Sequence, residues 1–212
     1  GVEKDRIRVV PYGIDIGELP PIVEVPDRFD CRSPLRIGFI GKLEAPKGPH
    51  VVLGALDHLG ARAADVRLDI YAAINREDDY CDSLMTSAQK YGDSVRFAGT
   101  FPPEKIGAIL RDMHVLVVPS IWYESIPLVL RSSLNAGVPV IVSEMGGLTE
   151  PLSGEMRKMS STAGLSRELG ALIQSLLDEP ARLSPLRQEL AGQARSLGDY
   201  VNDVEVEYGP RN

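Results

Sequence analysis

"VVPSIWYESIPLVLRSSLNAGVPVIVS", residues 117–143, sets two short apolar runs on either side of a segment opened by Pro127. Each run is too short for a helix and has no polar alternation, which reads as a strand covered on both faces. Proline suits the first position of a helix, where its missing N–H costs nothing. Strand, loop, helix and strand in this order imply a right-handed crossover between parallel strands. One detail resists the pattern. Ser132 and Ser133 fall mid-helix, where packing calls for Ala or Leu and a binding site calls for an acid.

The same alternation repeats upstream. "LRIGFIG" (35–41) predicts a first buried strand, and "PKGPHVVLGALDHLG" (46–60) a helix with apolar residues at helical spacing and Gly60 as its C-cap. "VRLDIYA" (66–72) predicts a second strand, residues 79–91 a polar helix, and "SVRFAG" (94–99) a third strand. "PPEKIGAILRDM" (102–113) predicts a helix opened by prolines, leading into "HVLVVPS" (114–120). A further strand is expected near 155–159, followed by two or three helices broken at Pro180 and near Gly198. The fold class is therefore α/β: a Rossmann-like parallel sheet with helices on both faces and a helical C-terminal part.

With 212 residues, 43% of them hydrophobic, the chain can bury one substantial core. The net charge of −7 argues against nucleic acid or an anionic membrane surface as the main partner. No apolar run approaches the length of a membrane span, and no leader pattern is present. Cys31 and Cys81 lack metal or redox spacing and read as free thiols, which fits a cytoplasmic setting. The start on Gly1 and the proline-punctuated lead-in "DRIRVVPYGIDIGELPP" suggest a piece of a larger protein.

In an open parallel sheet, ligands collect at the carboxyl ends of the strands. Three loops there carry polar residues: "GKLEAPKG" with Lys42, Glu44 and Lys47; "SIWYESIP" with Trp122, Tyr123 and Glu124; and "SEMGGLTE" with Glu144, Gly146, Gly147 and Glu150. The two lysines and the free amides of Leu128 and Val129 suit a diphosphate. Taken singly, each feature has a plain alternative, a solvated lysine or an ordinary glycine turn. No GxxxxGK[ST] loop and no GxGxxG after the first strand is present, so P-loop and dinucleotide-oxidoreductase machinery is missing. His50, His58 and His114 are scattered and read as packing or surface residues.

The order and spacing of "VVPYGID", "GFIGKLEAPKGPHVVLGAL", "VRFAGTFPPEKIGAILRDMHVLVVPSIWYES" and "NAGVPVIVSEMGGLTE" resemble the C-terminal, donor-binding domain of GT-B glycosyltransferases, group 1 (family 4). The resemblance implies one half of a GT-B fold: a linker at 1–20, a nucleotide-sugar-binding domain at 21–197 and a crossing tail at 198–212. It also implies a retaining hexosyl transfer from a nucleoside diphosphate sugar to a lipid-linked or polysaccharide acceptor. No cofactor or metal is expected, and an N-terminal acceptor domain outside this chain would be the partner and would make any contact with the inner membrane face. On this reading the chain binds donor more readily than it turns over. The alternative is a catalytically inactive module of the same fold.

Carried onto this sequence, Lys42 and Lys47 would hold the diphosphate and Glu124 would match the first acid of the family's paired-acid signature, near the donor sugar. Phe97 to Gly99 would line the base pocket, Pro127, Leu128 and Val129 would open the helix beneath the phosphates, and Gly146, Gly147 and Glu150 would border the sugar. The second acid of the signature falls on Ser132. A helical side chain leans toward the N-terminus, so position 132 is expected to face the ribose. A serine there supplies a neutral bond in place of charge-assisted ones, lowering affinity by about one to two decades. Arg131 and Ser133 are further departures, as is "YAA" at 71–73 where a glycine-rich turn is usual.

Overall fold

The computed structural model describes residue 3, residues 6–17 and residues 19–208, without the side chain of Tyr208. The remaining positions of the expected linker and tail lie outside the described residues. Six parallel strands form one sheet in the order β3-β2-β1-β4-β5-β6: β1 Leu35–Ile40, β2 Val66–Tyr71, β3 Val95–Phe97, β4 Val115–Val118, β5 Val140–Ser143 and β6 Ser160–Ser161. The order reverses between β1 and β4, which pair Ile37 with Val115 and Gly38 with Leu116. The loops leaving these two strands diverge, and a crevice opens between them.

The unbroken apolar runs are strands because both faces are covered. All four residues of β4 and all four of β5 are buried, as are Leu35, Ile37 and Phe39 of β1. Right-handed crossovers leading left from β1 and right from β4 put α1 (Pro49–Leu59) and α4 (Leu128–Asn135) on opposite faces. Helix α1 buries Val51, Val52, Leu53, Ala55, Leu56 and Leu59, and packs against α2 (Asp79–Ala88) and α7 (Ser166–Asp178). Each such leucine or valine contributes about 1.5–3 kcal/mol over its exposed state. On the far face α3 (Ile106–Arg111) lies against α4. Gly60 ends α1 with a positive φ, as its position in the sequence predicts.

Two expectations need correction. Residues 155–157 are not strand: α5 (Gly146–Thr149) is followed by α6 (Gly154–Arg157), and the strand, β6, starts at Ser160. The cause is tertiary. Glu189 of α8 (Leu183–Leu190) accepts the Met156 N–H at 3.1 Å and the Ser153 hydroxyl at 3.1 Å, which caps α6 from outside its own segment. The break expected near Gly198 falls at 191–196, between α8 and α9 (Leu197–Tyr208), and Gly198 itself lies in the first turn of α9. Ser196 and Asp199 cap that helix reciprocally: the Ser196 N–H donates to Asp199 Oδ2 at 2.8 Å, and the Asp199 N–H donates to Ser196 Oγ at 3.1 Å. Finally, the expected helices at 46–60, 79–91 and 102–113 each include a 3₁₀ turn, at Ala45–Lys47, Gln89–Ser94 and Pro103–Lys105.

Asn135, at the C-terminal end of α4, joins the two ends of the described chain. Its side-chain amide donates to the carbonyls of Ile14 and Arg195, at 2.9 and 2.8 Å, and its oxygen accepts the Arg195 N–H at 3.1 Å. Tyr12 and Tyr200 stack beside this junction with ring centroids 5.4 Å apart. The lead-in and α9 therefore run together at the end of α4 remote from the crevice.

Candidate functional site

The crevice between β1 and β4 is a cavity of about 430 Å³, within the size range of small-molecule sites. Phe39, Ile40, Val117 and Val118 give it an apolar floor, and Lys42, Lys47, Ser120 and Glu124 supply its polar groups. Pro127, Leu128 and Val129 form the remaining wall. Pro127 is the N-cap of α4, so the first amides of that helix have no acceptor within the helix and the positive end of its dipole meets the cavity.

Two loops are fastened together to make this arrangement. The Ile121 N–H donates to the Pro46 carbonyl at 2.9 Å, and Gly48 turns beneath the Pro119 carbonyl with φ 72°. Lys47 is thereby carried to Glu124, its Nζ 2.8 Å from Oε1, and the Ser120 hydroxyl donates to the same oxygen at 2.5 Å. The carboxylate is 11% exposed and the lysine 32%, so the pair is partly shielded and held in one geometry. Glu124, with one oxygen doubly satisfied, is a positioned acceptor rather than a free base. Lys42 is less shielded: its side chain is 75% exposed and its Nζ is 3.5 Å from Glu44.

The cavity thus brings together Lys42, Lys47, Glu124, Pro127, Leu128 and Val129. It does not include Phe97, Gly99, Ser132, Gly146, Gly147 or Glu150. Phe97 ends β3 at the sheet edge, and Gly99 follows with φ 75°. Gly146 and Gly147 start α5 beside the 123–125 loop: a Cβ on Gly147 would stand 2.0 Å from the Glu124 carbonyl oxygen and 1.9 Å from that of Ser125. The glycine pair is what lets that loop lie against α5.

Ser132 is buried, and its hydroxyl donates to the Leu128 carbonyl at 3.0 Å, one turn back along its own helix. Ser133 donates to the Val138 carbonyl at 3.0 Å and fastens the turn into β5. Both mid-helix serines are satisfied by backbone. Beside them Arg131 is held below the usual guanidinium range by burial first and by Arg195 second, and its Nε has no partner among the described residues. Sequence reasoning does not single out Ser120; its position at the carboxyl end of β4, four residues before Glu124, is the signal that marks it.

The sequence model of one family, "Glycosyl transferases group 1", matches residues 32–197, which include every residue of the cavity. The chain belongs to the group 1 glycosyl transferases. As a group 1 glycosyl transferase it is 31% identical over 216 residues to a D-inositol 3-phosphate glycosyltransferase of Acidothermus cellulolyticus, covering 97% of this chain and 47% of that one. It is 29% identical over 197 residues to a glycogen synthase of Mycobacterium tuberculosis, covering 92% and 45%. The chain spans about half the length of the curated relatives it matches. Among solved structures, the sucrose-phosphate synthase of Thermosynechococcus elongatus aligns with a TM-score of 0.75 at 21% identity, over 95% of this chain and 51% of that one. The Anabaena protein HepE in complex with UDP-glucose aligns with a TM-score of 0.71 at 20% identity, over 84% and 49%. The sheet of this group 1 glycosyl transferase is thus the Rossmann-like sheet of a GT-B glycosyltransferase.

Proposed function

We propose that this chain is the donor-binding half of a retaining glycosyltransferase, which moves a hexose from a nucleoside diphosphate sugar to a hydroxyl of a lipid-linked or polysaccharide acceptor. The observation that carries the reading is the cavity at the β1/β4 switch point, with Lys47 held on Glu124 and the start of α4 opposite. Lys42, Lys47 and the amides of Leu128 and Val129 take up charge developing on the departing diphosphate, a preorganised electrostatic role. Glu124 shares Lys47 with the phosphates and orients the sugar. Base and sugar extend beyond the cavity toward Phe97 and Gly99 on one side and Gly146, Gly147 and Glu150 on the other. The Anabaena complexes with UDP and UDP-glucose support placing a nucleotide sugar on this fold.

In the same reading, a second domain supplies the acceptor wall, the chain alone turns over little donor, and the enzyme works on the cytoplasmic side without a metal or cofactor. Among the described residues, no helix is long and apolar enough to cross a membrane, and no cluster of three or more His, Cys, Asp or Glu is placed to hold a metal. Calorimetric titration with UDP, GDP, ADP and dTDP tests the donor site. One nucleotide is expected to bind selectively, with affinity falling about tenfold or more in Lys47→Ala. Absence of binding at millimolar concentration sinks the reading.

One observation favours a second reading, a non-catalytic module of the same fold. Position 132 offers no carboxylate, and its hydroxyl is engaged by Leu128. Ser132→Glu separates the two. A rise of about tenfold in nucleotide affinity marks a site whose ribose contact has been lost, whereas a fall marks a pocket shaped around serine.

A further inference from the structure

Outside the cavity, the 123–125 loop carries a phenol whose placement the donor-site reading leaves unused. Tyr123 is 69% exposed, yet its hydroxyl lies against the start of α5. The loop backbone on its C-terminal side is pressed onto α5, with the carbonyls of Glu124 and Ser125 at 2.0 and 1.9 Å from where a Gly147 side chain would begin. The Tyr123 ring then lies over Gly146. A methyl group there would stand 2.9 Å from the phenol oxygen, 3.5 Å from Cε2 of the ring and 3.4 Å from Oε1 of Glu150.

The phenol oxygen and the Glu150 carboxylate therefore flank the same face of Gly146, the first residue of α5. Their chemistry is complementary. A phenol donates and accepts, whereas a carboxylate only accepts. Glu124 is spoken for by Lys47 and Ser120, but Glu150 is exposed and takes part in no ion pair among the described residues. One hydroxyl of a pyranose ring fits this pair, donating to Glu150 while accepting from Tyr123. In the donor-site reading the diphosphate rests on Lys42, Lys47 and the start of α4 and only the sugar extends to Gly146 and Glu150, so a bare nucleoside diphosphate leaves both groups untouched.

Resting on the donor-site reading, we infer that Tyr123 is a specificity-determining residue that reads a hydroxyl of the donor sugar jointly with Glu150 across Gly146. The pairs UDP and UDP-glucose, GDP and GDP-mannose, ADP and ADP-glucose, and dTDP and dTDP-glucose are titrated into this chain and into Tyr123→Phe. For each pair, the quantity read is the ratio of nucleotide Kd to nucleotide-sugar Kd. The variant changes one exposed oxygen, so it folds as the parent does, and an unchanged Tm checks this. Tyr123→Phe is expected to cut the ratio about fivefold for the pair that binds, leaving the bare nucleotide within about twofold. In a cycle with Glu150→Gln the two losses are expected to be less than additive, because both groups hold one hydroxyl.

A ratio that Tyr123→Phe leaves unchanged overturns the inference, as does a loss shared equally by nucleotide and nucleotide sugar, or a wild-type chain that gains nothing from the sugar. Those results leave the donor site standing, since the bare nucleotide still binds. If no nucleotide binds to the wild-type chain, the donor-site reading fails and the inference falls with it.

Discussion

Gly48→Ala is expected to lower the unfolding free energy by roughly 2 to 5 kcal/mol and to abolish nucleotide binding in the protein that remains folded. Two costs combine. Gly48 has φ 72° and ψ 25°, a left-handed conformation that costs an L-residue about 1–2 kcal/mol. A Cβ there would also stand 2.0 Å from the Pro119 carbonyl oxygen and 2.9 Å from its carbon, both backbone atoms that cannot swing aside. The chain must relieve the clash by parting the β1 and β4 loops. That movement carries Lys47 away from Glu124 and breaks the Ile121 to Pro46 hydrogen bond. Gly137 is the control, with φ 71° and nothing within 4 Å of the added Cβ. Gly137→Ala carries only the backbone cost, so urea denaturation of both variants isolates the clash. Equal losses in the two would show that the loops are not held as described.

The parts of the fold legible in the sequence are those set by burial on both faces. Strands β1, β4 and β5 stand out as largely apolar runs because both faces of the sheet are covered there. Legibility fades toward the edge. Val95 and Phe97 are only half-buried, so the third strand is shorter than its pattern suggests. It fails where a distant residue decides the local structure, as Glu189 does for α6. The start of α9 is a different case, because Ser196 and Asp199 stand at capping-box spacing and could have been read as a helix start.

The candidate site divides along the same line. Lysines after β1 and an acid after β4 are visible as residue types at strand ends. That Lys47 and Glu124 meet across 77 positions depends on Gly48 and Pro46, whose roles appear only in three dimensions. Ser132 shows the opposite hazard. Its polarity invites a functional explanation, and the backbone carbonyl of Leu128 already accounts for it.

A one-proton loss of stability between about pH 6.5 and pH 4 is expected from His114. The imidazole stands at the start of β4, where strand pairing with β1 begins. The backbone N–H of His114 donates to the Arg36 carbonyl at 2.9 Å, and the ring Nδ1 accepts the Arg36 N–H at 2.9 Å, so the ring completes the ladder in place of a peptide. Nε2 must then carry the proton and donate to the Glu24 carbonyl at 2.9 Å. The neutral ring has no vacancy for a second proton. Burial, only partly offset by the Glu24 carbonyl and reinforced by the nearby Arg187 and Arg36 cations, pushes His114 down from 6.5 to about 4. In the unfolded chain the ring protonates normally, so between these values the unfolded state binds the extra proton. Stability is complete above pH 6.5 and falls as pH drops, by about 3 kcal/mol in total at pH 4. His50, lowered by its own burial, adds a smaller slope of the same sign. Urea denaturation of the wild type and His114→Gln from pH 7.5 to pH 4.5 separates the two residues. The variant is less stable at neutral pH and loses stability less steeply on acidification, and parallel curves would show that His114 does not stay neutral in the folded chain.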